Sequence, residues 1–265
     1  MTKKCTVLFL AANPTGTGRL QLDEEIRAID AKIRTADYRD TLELVSSWAI
    51  RPDDLLEAFN RHRPHVVHFS GHGRPGGEII LNDSDGRSRP VAKKALTALF
   101  TALSGDIQVV VLNACYSEPQ AEALANIIDC VVGMKHKVGD TAAIVFAAAF
   151  YRAIGYGCSV ENAFEQARVA IMLEGTPEEN VPVLLSREGV DAARIVLAGP
   201  HAPKDGEGPV GNASSRGKAL ETWKERLAFL QEAEARVADP AQSFALKKQI
   251  EEAKAKIREL EMEQR

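Results

Sequence analysis

Apolar positions along residues 1–199 follow two alternating rhythms. Compact apolar runs occur at Thr6-Val7-Leu8-Phe9-Leu10, Leu42-Glu43-Leu44-Val45, His65-Val66-Val67-His68-Phe69, Val109-Val110-Val111-Leu112 and Cys130-Val131-Val132-Gly133-Met134. Their length and β-branched content predict buried strands. Between them the spacing turns helical, first at Leu22, Ile26, Ile29 and Ile33. Pro52-Asp53-Asp54 opens a second helix that carries Leu55, Leu56 and Phe59 and ends before Pro64. Further helices are predicted over 91–103, 120–127, 141–154 and 160–173, with a last strand near 181–185 and a candidate edge at Ile195-Val196-Leu197. Asp85-Gly86 reads as the turn of a short hairpin that starts near Gly76. Strands alternating with helices predict an α/β domain built on a mostly parallel sheet.

Beyond residue 199 the pattern breaks. Residues 200–217 are rich in Gly, Pro, Ser and Asn and read as a flexible linker. Leu220, Trp223, Leu227, Leu230 and Val237 then keep a spacing of three and four, and Asp239-Pro240 restarts a helix. Leu246, Ile250, Ala253, Ile257 and Leu260 repeat the spacing. The expected organisation is a catalytic-type domain over 1–199, a linker over 200–217 and a two-helix hairpin over 218–265. So small a hairpin has little core of its own. Its apolar seam (Trp223, Leu227, Leu230, Leu246, Ile250 and Ile257) is therefore expected to dock onto a partner protein.

The bulk numbers narrow the classes. The chain has 265 residues, is 45% hydrophobic and carries a net charge of −4, which supplies no electrostatic footprint for nucleic acid. The apolar run over 142–151 is far short of the roughly 20 residues that span a bilayer. The N-terminus enters a strand with no signal-like segment, so the chain is expected to stay in the cytoplasm. Four scattered cysteines, Cys5, Cys115, Cys130 and Cys158, form no CxxC pair and predict neither a disulfide framework nor a zinc site. His62, His65, His68 and His72 fall 3, 3 and 4 apart, but Pro64 interrupts any shared helical face, and no metal or cofactor is expected.

Two strands end on loaded residues: one runs into Ser70-Gly71-His72-Gly73, the other into Asn113-Ala114-Cys115. Residues past the carboxyl ends of neighbouring parallel strands share a crevice, separated by about 5 Å of strand spacing. His72 is suited to take the Cys115 proton and to protonate a leaving amine. The amides of Gly73 and Cys115 are the natural oxyanion donors. His68 reads as a hydrogen-bonded core histidine, and Cys5, Cys130 and Cys158 as small hydrophobes.

His68-Phe69-Ser70-Gly71-His72-Gly73 followed by Val110-Val111-Leu112-Asn113-Ala114-Cys115 resembles the CHAT family of caspase-like cysteine proteases. The likeness extends to the opening Leu8-Phe9-Leu10-Ala11-Ala12-Asn13-Pro14, to Leu22-Asp23-Glu24-Glu25, and to Val132-Gly133-Met134 with Asp140-Thr141-Ala142-Ala143. It implies a caspase-hemoglobinase fold with a mostly parallel sheet sandwiched by helices, and a His72/Cys115 dyad that cleaves protein substrates without an obligatory third catalytic residue. It also places the substrate pocket at the loop after the first strand, with Asn13 and Arg19, and at Asp140. An acid at 140 favours Arg or Lys before the scissile bond and Arg19 argues the reverse, so no preferred residue is named. The tail resembles small helical adaptor modules that recruit bacterial conflict effectors to a sensor or activator, which implies a role in antiphage defence or programmed cell death. A silent scaffold and a thiol amidase acting on small molecules are the alternatives.

Overall fold

The structure is a computed structural model that describes residues 4–103, 105–199, 250 and 254. The chain divides into two units, Met1–Lys204 and Asp205–Arg265. In the second, Ile250 and Lys254 are helical and Ile250 is buried. Trp223, Leu227, Leu230, Leu246 and Ile257 lie outside the described residues.

The first unit is built on strands β1 (Cys5–Ala12), β2 (Leu42–Trp48), β3 (Val66–Gly71), β6 (Val109–Asn113), β7 (Cys130–Met134) and β8 (Pro182–Ser186). They form one sheet in the order β2-β1-β3-β6-β7-β8, in which only β8 runs antiparallel. A separate hairpin, β4 (Ile79–Asn82) with β5 (Ser88–Val91), turns through Gly86 at φ 76°. The helices are α1 (Leu22–Arg34), α2 (Pro52–His62), α3 (Lys93–Leu103), α4 (Glu118–Leu124), α5 (Asp140–Gly155) and α6 (Val160–Leu173).

The central strands are mostly apolar because both their faces are covered. On β1, Val7, Phe9 and Ala11 join a core with α1, α5 and α6. Leu8, Leu10 and Ala12 join a second core with α2, α3 and α4. Period-two alternation thus splits one strand between two cores. The layering is α/β/α, the caspase-like arrangement that the resemblance implies. No helix among the described residues is long and apolar enough to cross a membrane.

Two expectations change. Ile195-Val196-Leu197 is not a sheet strand: Val196 makes one isolated bridge to Ser159, and the Ile195 carbonyl accepts from Val160 N. Val91 belongs to β5, so the third helix begins at Lys93. The chain leaves β1 toward one side for β2 and returns to the other for β3. That reversal opens a crevice at the strands' carboxyl ends, where doubly wound folds place their ligands.

Helix α4 lies so close on β7 that a Cβ on Gly133 would stand 2.7 Å from the Ala121 Cβ and 3.2 Å from the Glu118 Cα. Neither neighbour is a flexible tip. Gly133→Ala is expected to destabilise the first unit by about 1–3 kcal/mol, the usual range for overpacking, read as a lowered denaturant midpoint.

Candidate active site

Strands β3 and β6 pair in parallel with Phe69 opposite Leu112 and Ser70 opposite Asn113. His72 and Cys115 therefore each stand two residues past the same register pair. Both line a cleft whose other walls include Leu20 and Leu22 after β1, and Val138, Asp140 and Ile144 after β7.

His72 is half-buried, and its Nε2 lies 2.7 Å from the Gly18 carbonyl oxygen. A carbonyl only accepts, so Nε2 carries the proton and Nδ1 is left with a lone pair in the neutral ring. A main-chain carbonyl thus orients the His72 ring. The loop that supplies it is held by Asn13, whose Nδ2 donates to Leu20 O at 3.1 Å, and by Thr15 N, which donates to Gly86 O at 2.8 Å.

Cys115 is half-buried and stands two residues past the end of β6. The next residue, Tyr116, is left-handed at φ 57°, and its N–H donates to His136 O at 3.2 Å. Buried Ser117 donates to Leu112 O at 2.8 Å and accepts from Met134 N at 2.9 Å, fastening the turn between β6 and β7. The Cys115 thiol lies 3.7 Å from Val138 O. Gly73 packs against this turn so tightly that a Cβ on it would fall 1.9 Å from the Cys115 carbonyl oxygen. Among the described residues, neither the Gly73 nor the Cys115 N–H donates to a protein acceptor, so both amides are free to serve an oxyanion.

Beside His72 and Cys115 in the cleft wall lies a buried polar cluster. Glu25 reaches in from α1 and is 2% exposed. Its Oε1 accepts from His68 Nε2 at 2.8 Å and from Asn113 Nδ2 at 2.7 Å, while its Oε2 accepts from Ser70 Oγ at 2.5 Å. The other His68 nitrogen, Nδ1, lies 3.1 Å from the Tyr151 hydroxyl. The His68 ring stacks on Phe9 with 5.2 Å between centroids. Burial, and then the nearby Glu25 charge, push the Tyr151 phenol well above its ordinary range. Tyr151 therefore keeps its proton.

A family model of the CHAT domain matches residues 21–183. The chain belongs to the CHAT domain family. It is also similar to a Roc-COR-CHAT protease from an unknown prokaryotic organism, at 27% identity over 185 residues. A second relative is a probable protease from Gillisia limnaea, at 22% identity over 169 residues. These matches cover 67% and 62% of this chain, but only 17% and 30% of the two relatives' own lengths.

Within this CHAT domain the residues named from sequence do not all converge. His72, Cys115 and Asp140 line the cleft. Asn13 closes the loop behind Gly18, and Arg19 is exposed; neither lines the cleft. His65 is buried and accepts from Thr6 N at 3.1 Å through Nδ1. The Gly18 carbonyl has no side-chain signature for sequence reading to find. Glu25 did carry a signal, being an acid at a position that α1's apolar spacing turns inward.

The thiols differ in their surroundings. Burial pushes Cys5 up to about 12 and Cys130 up to about 11, so both stay protonated near neutrality. Since the thiolate is the reactive form, iodoacetamide applied to the native protein should modify Cys115 well before Cys5 or Cys130. Peptide mass mapping of a time course would show this order. Equal labelling of the three would contradict the burial.

Proposed function

We propose that this CHAT domain is a cysteine endopeptidase that cleaves protein substrates with a His72/Cys115 dyad. The observation that carries the reading is the shared cleft at the ends of β3 and β6, with the His72 ring held through Nε2 so that Nδ1 is its basic nitrogen. The names of the two relatives, both proteases, support it.

In the reaction His72 Nδ1 takes the Cys115 thiol proton, and the sulfur attacks the carbonyl carbon of the scissile bond. Negative charge gathers on the former carbonyl oxygen, where the Gly73 and Cys115 N–H groups receive it. His72 then passes its proton to the departing amine, leaving an acyl group on Cys115. Water, deprotonated by His72, attacks that thioester and restores the free thiol. Asp140, in the first turn of α5 and on the cleft wall, faces the side chain before the scissile bond.

The enzyme would act in the cytoplasm, in antiphage defence or programmed cell death. Residues 218–265 would bring it to a sensor, an activator or another copy of itself. Deleting them is expected to spare cleavage of a short peptide while abolishing cleavage of the physiological partner. Equal loss on both would show that the hairpin does not act as a recruiter.

The central test is digestion of a diverse peptide library by wild type, Cys115→Ala and His72→Ala, with products read by mass spectrometry. Cleavages should appear with wild type only, and each substitution should lower the rate by about a thousandfold or more. Cleavage that persists in Cys115→Ala would refute the assignment of the nucleophile.

A further inference from the structure

We infer that Glu25 is the positioning residue of the dyad: its single carboxylate braces the ends of β3 and β6 against each other and so sets the separation of His72 and Cys115. The inference rests on the peptidase reading of this site.

Ser70 and Asn113, which donate to the two Glu25 oxygens, are register partners and the last pair between β3 and β6. Each stands two residues before a member of the dyad. Among the described residues the ladder between β3 and β6 stops at this pair, so sheet hydrogen bonding no longer fixes the spacing where the chemistry occurs. A shared acceptor at that point does the work of the missing rung.

The carboxylate is itself held. Tyr151 keeps its proton and donates to His68 Nδ1, which leaves the His68 Nε2–H for Glu25. Phe9 stacks against the same ring. Glu25 therefore cannot swing to follow one strand and abandon the other. The Asn113 amide is committed in the same way: its Nδ2 also reaches Ala143 O at 3.3 Å, while its buried Oδ1 has no partner among the described residues. Its donors, not its acceptor, decide where it sits.

The placement of polar residues argues against a role confined to stability. On this face β3 and β6 begin with Val66, Val109 and Val111, all fully buried and apolar, and the first polar residue is His68, the register partner of Val111. Polar residues begin at His68 and continue at Ser70 and Asn113, the half of the strands nearer the dyad. A core wanting stability alone is served as well by apolar residues there.

The test uses the full chain with Glu25→Gln and Glu25→Leu, beside wild type and His72→Ala. One readout is steady-state cleavage of a peptide that wild type cuts. The other is the rate at which iodoacetamide carboxamidomethylates Cys115, as a ratio to the rate in His72→Ala. Gln preserves the three contacts, because its amide can donate to Ser70 and accept from His68 and Asn113. Glu25→Gln should keep kcat within about tenfold. Glu25→Leu should lose about a hundredfold in kcat, the scale of an ångström-sized misplacement, with KM little changed. Its alkylation ratio should fall to near one. A folded Glu25→Leu with wild-type kcat and alkylation ratio overturns the inference, and so does a Glu25→Gln that falls as far as Leu. If Glu25→Leu does not fold, Ser70→Ala unties β3 alone and decides the matter: a lower kcat at constant KM, restored by Ser70→Thr, supports the brace, and an unchanged kcat overturns it. If wild type cuts no peptide yet its alkylation ratio exceeds one and collapses in Glu25→Leu, the peptidase reading fails while the brace stands.

Discussion

Parallel strands pair in a register that tolerates no slip, because a shift of one residue turns every side chain to the opposite face. In β3 a slip would send His68 and Ser70 into the apolar layer beneath α2, α3 and α4. Buried there, they would lose their hydrogen bonds, each at about 1–3 kcal/mol. The pairing of Ser70 with Asn113 is thus enforced by the polar side chains it aligns. The cleft, the placing of His72 and Cys115 on its walls and the close approach of Gly73 to Cys115 all follow from that one alignment.

The site is assembled from segments far apart in the chain. Glu25 and Asn113 are separated by 88 positions, and His72 and Gly18 by 54. A buried carboxylate is costly to desolvate, and the arrangement persists because three donors converge on it. The donors come from both central strands and the carboxylate from the helix that covers them. Folding of that layer and completion of the site are in this sense one event.

Much of this architecture is readable from sequence, for reasons that differ by element. The central strands announce themselves because burial on both faces makes them largely apolar, and α1 because its apolar residues recur on one face. His72 and Cys115 are conspicuous as reactive residues just past such strands. What stays hidden is whatever depends on main-chain atoms or on strand order. Nothing about the side chains of Gly16-Thr17-Gly18 says that a carbonyl there will orient His72, or that Asn13 will close its own loop behind the cleft. Nor does the apolar run at Ile195-Val196-Leu197 reveal that only one bridge to Ser159 awaits it, since an apolar triplet covers a core as readily as it extends a sheet. Glu25 was visible as a residue and invisible as a hub, because its partners come from strands whose adjacency the sequence leaves open.

Tyr116 carries a different implication. A residue with a side chain held at φ 57° stores local backbone strain, of the order of 1 kcal/mol. Here it directly follows Cys115, in a turn fastened by Ser117 and by the His136 carbonyl. Glycine would sit there without strain and would also loosen the peptide that presents the sulfur. Endurance and the firm presentation of the thiol therefore pull this position in opposite directions, and a lineage drifting toward greater heat tolerance would meet that conflict first at the residue beside Cys115.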